Sequence, residues 1–226
     1  MSERARPAIH ERPFWQAYGK ARYTILFSAL LLTLLVMPIA TTLGLSTVLI
    51  KLLLAACLFA AVMPSATRRT RHALFAGVSL LVVARVGAEQ GYLPVNPGLL
   101  LALVGLTGLA AAASALRFMV RAKTVNRETI FAALSTYLLA GIFFGQIYWS
   151  IEQMSPGSMI GPDPFSELAA VYYSFVTIAT LGYGDFLPRS DLTRGIATFE
   201  VIGGQLYLAV LVARLIGAFG GEKRDT

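Results

Sequence analysis

The chain has 226 residues, of which 56% are hydrophobic and only 14% charged, and its formal net charge is +7. An average soluble domain carries about 25% charged residues, and a globule of this size has too little interior for this much apolar sequence; the mean hydropathy is +0.67. The same figures exclude a disordered chain and a nucleic-acid-binding one, so the positive charge must be read by position.

A bilayer core of about 30 Å needs roughly 20 apolar residues as helix. Stretches of this kind fall at residues 23–45, 47–63, 73–88, 97–116, 128–151 and 194–219. Pro38, Thr41, Thr42 and Gly44 supply the break between the first two. The first is longer than the apolar region of a signal peptide and is read as an uncleaved span. A seventh apolar stretch, 165–181, is shorter and runs into a glycine-rich segment. Its length and punctuation suit a re-entrant segment. The expected fold is therefore an all-α membrane protein with six transmembrane helices and a short re-entrant helix. The expected organisation is an N-terminal segment (1–22), a four-helix peripheral domain (23–127), a C-terminal two-span domain (128–220) and a short tail (221–226).

Arg4, Arg6, Arg12, Lys20 and Arg22 precede the first span, and Arg68, Arg69 and Arg71 lie between the second and third. Arg117, Arg121, Lys123 and Arg127 lie between the fourth and fifth, and Lys223 and Arg224 close the chain. The alternate connections hold Glu89, then Glu152, Asp163, Glu167, Asp185 and Asp191, with Arg189 the main exception. This positive-inside pattern places both termini in the cytoplasm of a multi-pass protein of the cell membrane. The N-terminal segment, with Phe14, Trp15 and Tyr18 among its basic residues, suits either an interfacial helix on anionic lipid or a solvated tail. Cys57, the single cysteine, cannot form an intrachain disulfide and reads as a small buried apolar residue.

Non-helical backbone at membrane depth is tolerated only where it is buried or lines a water-filled path. In Thr177-Ile178-Ala179-Thr180-Leu181-Gly182-Tyr183-Gly184-Asp185, the glycines that tolerate left-handed backbone alternate with Tyr183. Alternating conformations can turn every carbonyl to one side. Four copies would close such carbonyls into rings that replace the water shell of a desolvated cation, with the Thr180 hydroxyl adding one more ring. Asp163-Pro164 and Ser166-Glu167 offer an N-cap and first-turn acids for the short helix before it, whose negative C-terminal dipole favours a cation. The acids of the outer connections would concentrate cations there.

Thr180-Leu181-Gly182-Tyr183-Gly184-Asp185 resembles the selectivity filter signature of the tetrameric potassium channels. The resemblance takes in Tyr172, Tyr173 and Ser174 before the filter, Asp185-Phe186-Leu187-Pro188 after it, and an inner helix with Gly203-Gly204. Residues 128–220 are similar to a two-span pore module of the bacterial ion-channel type; the four earlier spans match the peripheral domain of six-span channels only in number. The resemblance implies a homotetramer in lipid that conducts K+ passively, with K+ at Thr180, Leu181, Gly182 and Tyr183. Gly184 completes the filter, and Asp185, Tyr173 and Thr177 support it. K+ is then the permeant ion, with no cofactor, enzymatic activity, nucleic-acid partner or soluble ligand domain expected. Leu181 stands where the family most often has Val or Ile. Val176 and Ala179 stand where some members carry a carboxylate and a second Thr, which removes one brace behind the filter.

Glu200 lies inside the last span and shares a face with Gly203, Gly204 and Tyr207. It either steadies the filter by hydrogen bonds behind the pore helix, to groups such as Tyr173 or Thr177, or only specifies packing. Gln205 lines the cavity or bonds a neighbouring helix, and Gly203 and Gly204 allow a gating bend or close packing. Arg214 is expected to reach headgroups, and Arg85 to pair with Glu89 or snorkel. The alternatives to a selective channel are a weakly selective cation channel on this scaffold, a transporter subunit, an intramembrane enzyme and a non-conducting adaptor. A transporter subunit of this kind carries four pore repeats in one chain, where this one has one; His10 and His72 both lie outside the spans, which leaves an enzyme no constellation there.

A voltage-sensing helix needs several regularly spaced arginines. Residues 97–116 contain no basic residue. Current through the reconstituted chain is therefore expected to show no steep voltage dependence, and a steep conductance–voltage curve in bilayer recordings contradicts this.

Overall fold

The computed structural model describes residues 13–44, 68–122 and 124–222. It is helical apart from one short strand pair. The expected second span, Cys57 and the two ends of the chain lie outside the described residues. The elements are α1 (Pro13–Thr42), α2 (Arg68–Glu89), α3 (Pro97–Arg121), α4 (Arg127–Met154), β1 (Met159–Ile160), α5 (Glu167–Ile178), β2 (Leu187–Pro188) and α6 (Asp191–Glu222).

Among the described residues, four helical stretches are long and apolar enough to cross a membrane: Ala21–Thr42, Pro97–Arg121, Arg127–Met154 and Asp191–Gly217. The third expected span falls in α2, whose apolar part, Ala76–Ala88, is shorter. The long helices run past the expected ends, because polar first and last turns continue the backbone ladder beyond the apolar run.

Local chemistry sets the helix ends. Asn96 caps α3 by accepting the Gly98 N–H at 2.8 Å, and Asn126 caps α4 by accepting the Thr129 N–H at 2.9 Å. α1 is broken at Ala21, whose φ of −127° and ψ of 18° are not helical. The Glu128 carboxylate of α4 meets the new helix start, accepting the Tyr23 N–H at 2.9 Å and the Thr24 hydroxyl at 2.6 Å. A carboxylate there satisfies an orphan N–H and complements the helix dipole. Pro38 lies inside α1, and the Thr41 and Thr42 hydroxyls donate to its carbonyl oxygen at 2.8 and 3.1 Å.

The core is organised around α4. α3 packs antiparallel on it, with Gly98 near Met154, Gly105 near Ile147 and Gly108 against Phe143. On another face α5 lies so close that a Cβ on Gly145 would stand 2.7 Å from the Val171 Cα. No side chain fits there, so glycine sets the spacing of these two helices. α6 runs antiparallel to α4, with Phe144 beside Phe199 and the Tyr207 hydroxyl donating to the Ala133 carbonyl at 2.6 Å.

Two charged contacts tie the remaining helices to this assembly. Arg85 of α2 pairs with Glu167, the first residue of α5, at 3.3 Å, the two side chains being 8% and 21% exposed. Glu167 is a partner beyond the local Glu89 that the sequence suggested, whose side chain lies outside the described ones. The fold brings α2 against the start of α5, which offers the Glu167 carboxylate to the Arg85 guanidinium. Arg214 of α6 donates to the Val120 carbonyl at 2.6 Å and to the Ala122 carbonyl. It caps the end of α3, where a cation also complements the dipole.

Removing one partner of a mostly buried ion pair strands the other charge. Arg85→Gln is expected to lower stability by about 3 kcal/mol, read from unfolding of the detergent-solubilised chain. Exchanging the charges, Arg85→Glu with Glu167→Arg, should restore most of it.

Candidate functional site

The segment that carried the motif follows α5. Ser166 caps this helix, its hydroxyl accepting the Ala169 N–H at 3.1 Å, and Glu167 supplies the first-turn acid, as the order Ser166-Glu167 suggested. The helix ends at Ile178, and the chain turns out of it with a strong alternation of backbone hand. Thr180, Gly182 and Gly184 have φ of 57°, 57° and 78°, while Leu181 and Tyr183 between them have negative φ. For the two glycines this conformation costs little. For Thr180, a β-branched residue, left-handed backbone is strained, and Thr180 is the one described non-glycine residue with positive φ. Strain of this kind persists only where the surroundings over-determine it.

The N–H groups of the segment turn back to α5. Those of Leu181 and Gly182 donate to the Val176 carbonyl at 2.9 and 3.4 Å, and that of Thr180 to the Thr177 carbonyl at 2.9 Å. Backbone of alternating hand gathers N–H groups on one side and carbonyls on the other. Among the described residues, no donor reaches the carbonyl oxygens of Thr180, Leu181, Gly182, Tyr183 or Gly184. The segment thus presents a row of unpaired acceptors, and its side chains from Thr180 to Asp185 are all exposed in the single chain.

Behind the segment lies a braced wall. Tyr173 is buried and packs edge-on against Tyr148 at 4.9 Å between ring centres. Thr177 lies beside Tyr173, and the Asp185 carboxylate beside the Tyr172 hydroxyl. Phe186 packs on Phe165 and Tyr172. The outer rim is fixed by the β1–β2 pairing, Met159 with Pro188 and Ile160 with Leu187, and by the Ser158 carbonyl, which accepts the Arg189 N–H at 2.8 Å.

Glu200 is 1% exposed and joins three helices. Its Oε2 accepts the Tyr148 hydroxyl of α4 at 2.8 Å, and its Oε1 accepts the Ser174 hydroxyl of α5. The expected partners Tyr173 and Thr177 are replaced by Ser174 and Tyr148. Ser174 lies on the face of α5 turned to α6, and Tyr148, 52 residues upstream of Glu200, reaches it only through the fold. Neither was legible as a partner, although Ser174 fell inside the matching stretch. One turn on, a Cβ on Gly204 would stand 2.6 Å from Ile178 Cγ1 and 2.9 Å from its carbonyl oxygen. Gly204 is therefore a close-packing position against the end of α5. Gly203 faces open space, α6 runs as one helix through both, and Gln205 is exposed.

Residues 132–220 match the family model described as "Ion channel". The Inward rectifier potassium channel Kirbac3.1 of Paramagnetospirillum magnetotacticum is 32% identical over 96 residues, which is 40% of this chain and 30% of the relative. The Two pore potassium channel a of Oryza sativa subsp. japonica is 32% identical over 82 residues, 36% of this chain and 22% of the relative. The chain thus spans less than a third of the length of either curated relative. No solved structure matches. The chain carries an ion channel domain with similarity to potassium channels, and with its long apolar helices it is a membrane protein.

Glu200→Ala leaves two buried hydroxyls without their acceptor, at an expected cost of about 2–4 kcal/mol. Glu200→Gln keeps one acceptor oxygen and should cost about 1 kcal/mol. Thermal unfolding of the solubilised protein checks the order parent, Gln, Ala; an Ala variant as stable as the parent contradicts it.

Proposed function

We propose that the chain is the subunit of a homotetrameric, multi-pass potassium channel of the cell membrane, with both termini cytoplasmic and K+ as its permeant ion. The observation that carries this is the alternation of backbone hand at Thr180, Gly182 and Gly184, with five carbonyls left without donors. A carbonyl row of this kind is costly in an apolar medium unless a cation or water takes its place. Four such rows around an axis supply rings of oxygens that replace the hydration shell of K+. Thr180, Leu181, Gly182, Tyr183 and Gly184 form the filter, the Thr180 hydroxyl adding the innermost ring. α5 is the re-entrant pore helix, and its C-terminal dipole end faces the ion. Asp185 at the outer mouth raises the local cation concentration.

Burial supports an assembly of several copies. α4 has 61% of its most apolar window buried within the chain, whereas α6 has 11%. Phe199, Ile202 and Leu206 of α6 are exposed, as are Leu181 (56%) and Tyr183 (67%) of the filter. One chain has one filter segment, so four copies are required to close the ring. A cleft of about 550 Å³ between the filter and α6, walled by Tyr173, Thr177, Ala197 and Val201, is open in the single chain. In the tetramer it receives a neighbouring subunit's filter side chains, Tyr183 foremost. Gln205, exposed just beyond Gly204, lines the central cavity.

Glu200, through Ser174 and Tyr148, holds the pore helix between inner and outer helices. It takes over the bracing that a carboxylate at position 176 gives in some similar channels. Because Val176 itself offers only its carbonyl, support of the filter comes from α6 instead of from α5.

K+ and Na+ flux into liposomes reconstituted with the chain tests this. K+ flux well above Na+ flux is expected. Equal flux moves the assignment to a weakly selective cation channel on the same scaffold.

A further inference from the structure

α5 has 12 residues, about 18 Å of helix, and the chain fixes it at several levels. Its backbone meets α4 closely at one point, where a Cβ on Gly145 would stand 2.7 Å from the Val171 Cα. Beyond that point α4 and α6 hold it. The Phe175 ring lies against Gly141, the Ser174 hydroxyl donates to Glu200, and Ile178 meets Gly204. All three contacts fall in the half that leads into the filter segment.

The first turn is tied from elsewhere. Glu167, the first residue of α5, takes the Arg85 guanidinium of α2 on both carboxylate oxygens, at 3.3 and 3.5 Å. Apolar contact at this end fixes a position poorly, since lipid tails serve a leucine as well as a helix does. A mostly buried ion pair fixes it well, because pulling the partners apart costs Coulomb energy that water does not replace.

Helix geometry turns this tie into a lever. Val171 lies between Glu167 and Val176, about 6 Å along the axis from the first and about 7.5 Å from the second. With the contact at Gly145 as fulcrum, a shift of the first turn moves the Val176 carbonyl by a similar distance the other way. That carbonyl accepts the Leu181 and Gly182 N–H groups, so the filter segment moves with it. Rings of carbonyl oxygens discriminate between cations by their spacing and field strength, and both change with such a movement.

We propose that Arg85 is a positioning residue for ion selection: from α2 it sets the tilt of α5 through Glu167, and thereby the spacing of the filter carbonyls. This rests on the channel reading proposed above. A purely electrostatic role would leave a different trace. A charge near the outer mouth attracts K+ and Na+ alike, so altering it scales both currents and leaves their ratio unchanged.

The test reads the Na+/K+ permeability ratio from reversal potentials of the full chain in planar bilayers. That ratio belongs to each open channel and does not depend on how many assemble. Arg85→Gln and Glu167→Gln change the local charge in opposite directions but both untie α5, so both should raise the ratio, by about fivefold or more. The exchange Arg85→Glu with Glu167→Arg should return it to within about twofold of the parent. Arg214→Gln, which unties α6 from the end of α3, should leave it within about twofold. Arg85→Lys keeps the charge and should fall between the parent and the Gln variant, which preserves the comparison if the Gln variants do not assemble. An unchanged ratio in Arg85→Gln, or shifts of opposite sign in the two Gln variants, overturns the proposal. An equal rise in Arg214→Gln overturns it too, because the effect is then one of general loosening.

Hydrogen exchange of the solubilised chain separates the tie from the channel function. The N–H groups of Thr180, Leu181 and Gly182 should exchange several-fold faster in Arg85→Gln than in the parent, and those of residues 129–143 of α4 should not. An unchanged rate at 180–182, or an acceleration shared equally by 129–143, overturns the tie. A parent that passes Na+ as readily as K+, or passes neither, counts against the proposed function, and the exchange rates then decide whether Arg85 positions the segment.

Discussion

Backbone that leaves the helix in an apolar setting must find a partner for every N–H and C=O, and the segment after α5 is where this protein meets that requirement. The N–H groups of Thr180, Leu181 and Gly182 return to the last turn of α5, chiefly to the Val176 carbonyl, and among the described residues no donor reaches its carbonyls. Everything around it serves to keep that unequal division. α5 must be held rigidly, because its C-terminus is the acceptor. Gly145 lets α4 come against α5, Gly204 lets α6 reach the end of α5, and Glu200 ties the three helices together through two hydroxyl groups. The strained Thr180 is affordable only against so fixed a support.

The charges follow a second constraint. A chain that is 14% charged cannot spread its ions evenly through an apolar body. Where they occur inside the fold they join helices that apolar contact alone leaves loosely specified. Arg85 joins α2 to the start of α5, Arg214 joins α6 to the end of α3, and Glu128 starts the second part of α1. Among the described helices, α2 is thus in contact with the start of α5 and α3 with the far end of α6.

Much of this was legible from the order of residues. Glycine alternation at 182 and 184 is a local property, and so are the Ser166 cap and the apolar runs of the long helices. Each depends on neighbours within a few positions, which is what a sequence displays. The partners of Glu200 and Arg85 were not legible in the same way. Arg85 and Glu167 are 82 positions apart, and nothing local in the sequence points from one to the other. Tyr148 carries no motif, and only the antiparallel run of α4 and α6 brings its hydroxyl to Glu200. The left-handed Thr180 was hidden for the opposite reason: β-branched residues avoid that conformation, so local preference argued against what the surrounding structure enforces.

The same logic bears on what the isolated chain leaves incomplete. A helix as apolar as α6 gains little from lipid on one face and another helix on the other unless close packing or a polar contact decides between them, since lipid tails are as apolar as leucine. On α6 the decisive contacts to its own chain, Glu200, Gly204 and Tyr207, fall on one side, and Phe199, Ile202, Leu206 and Gln205 are left on the others. In the proposed tetramer those faces are taken by neighbouring subunits and by the water-filled cavity. Filter and inner helix would then be completed by one event. The carbonyl row would gain its ion only when four copies meet, and the copies would meet along the helix whose buried carboxyl group already fixes α5 behind that row.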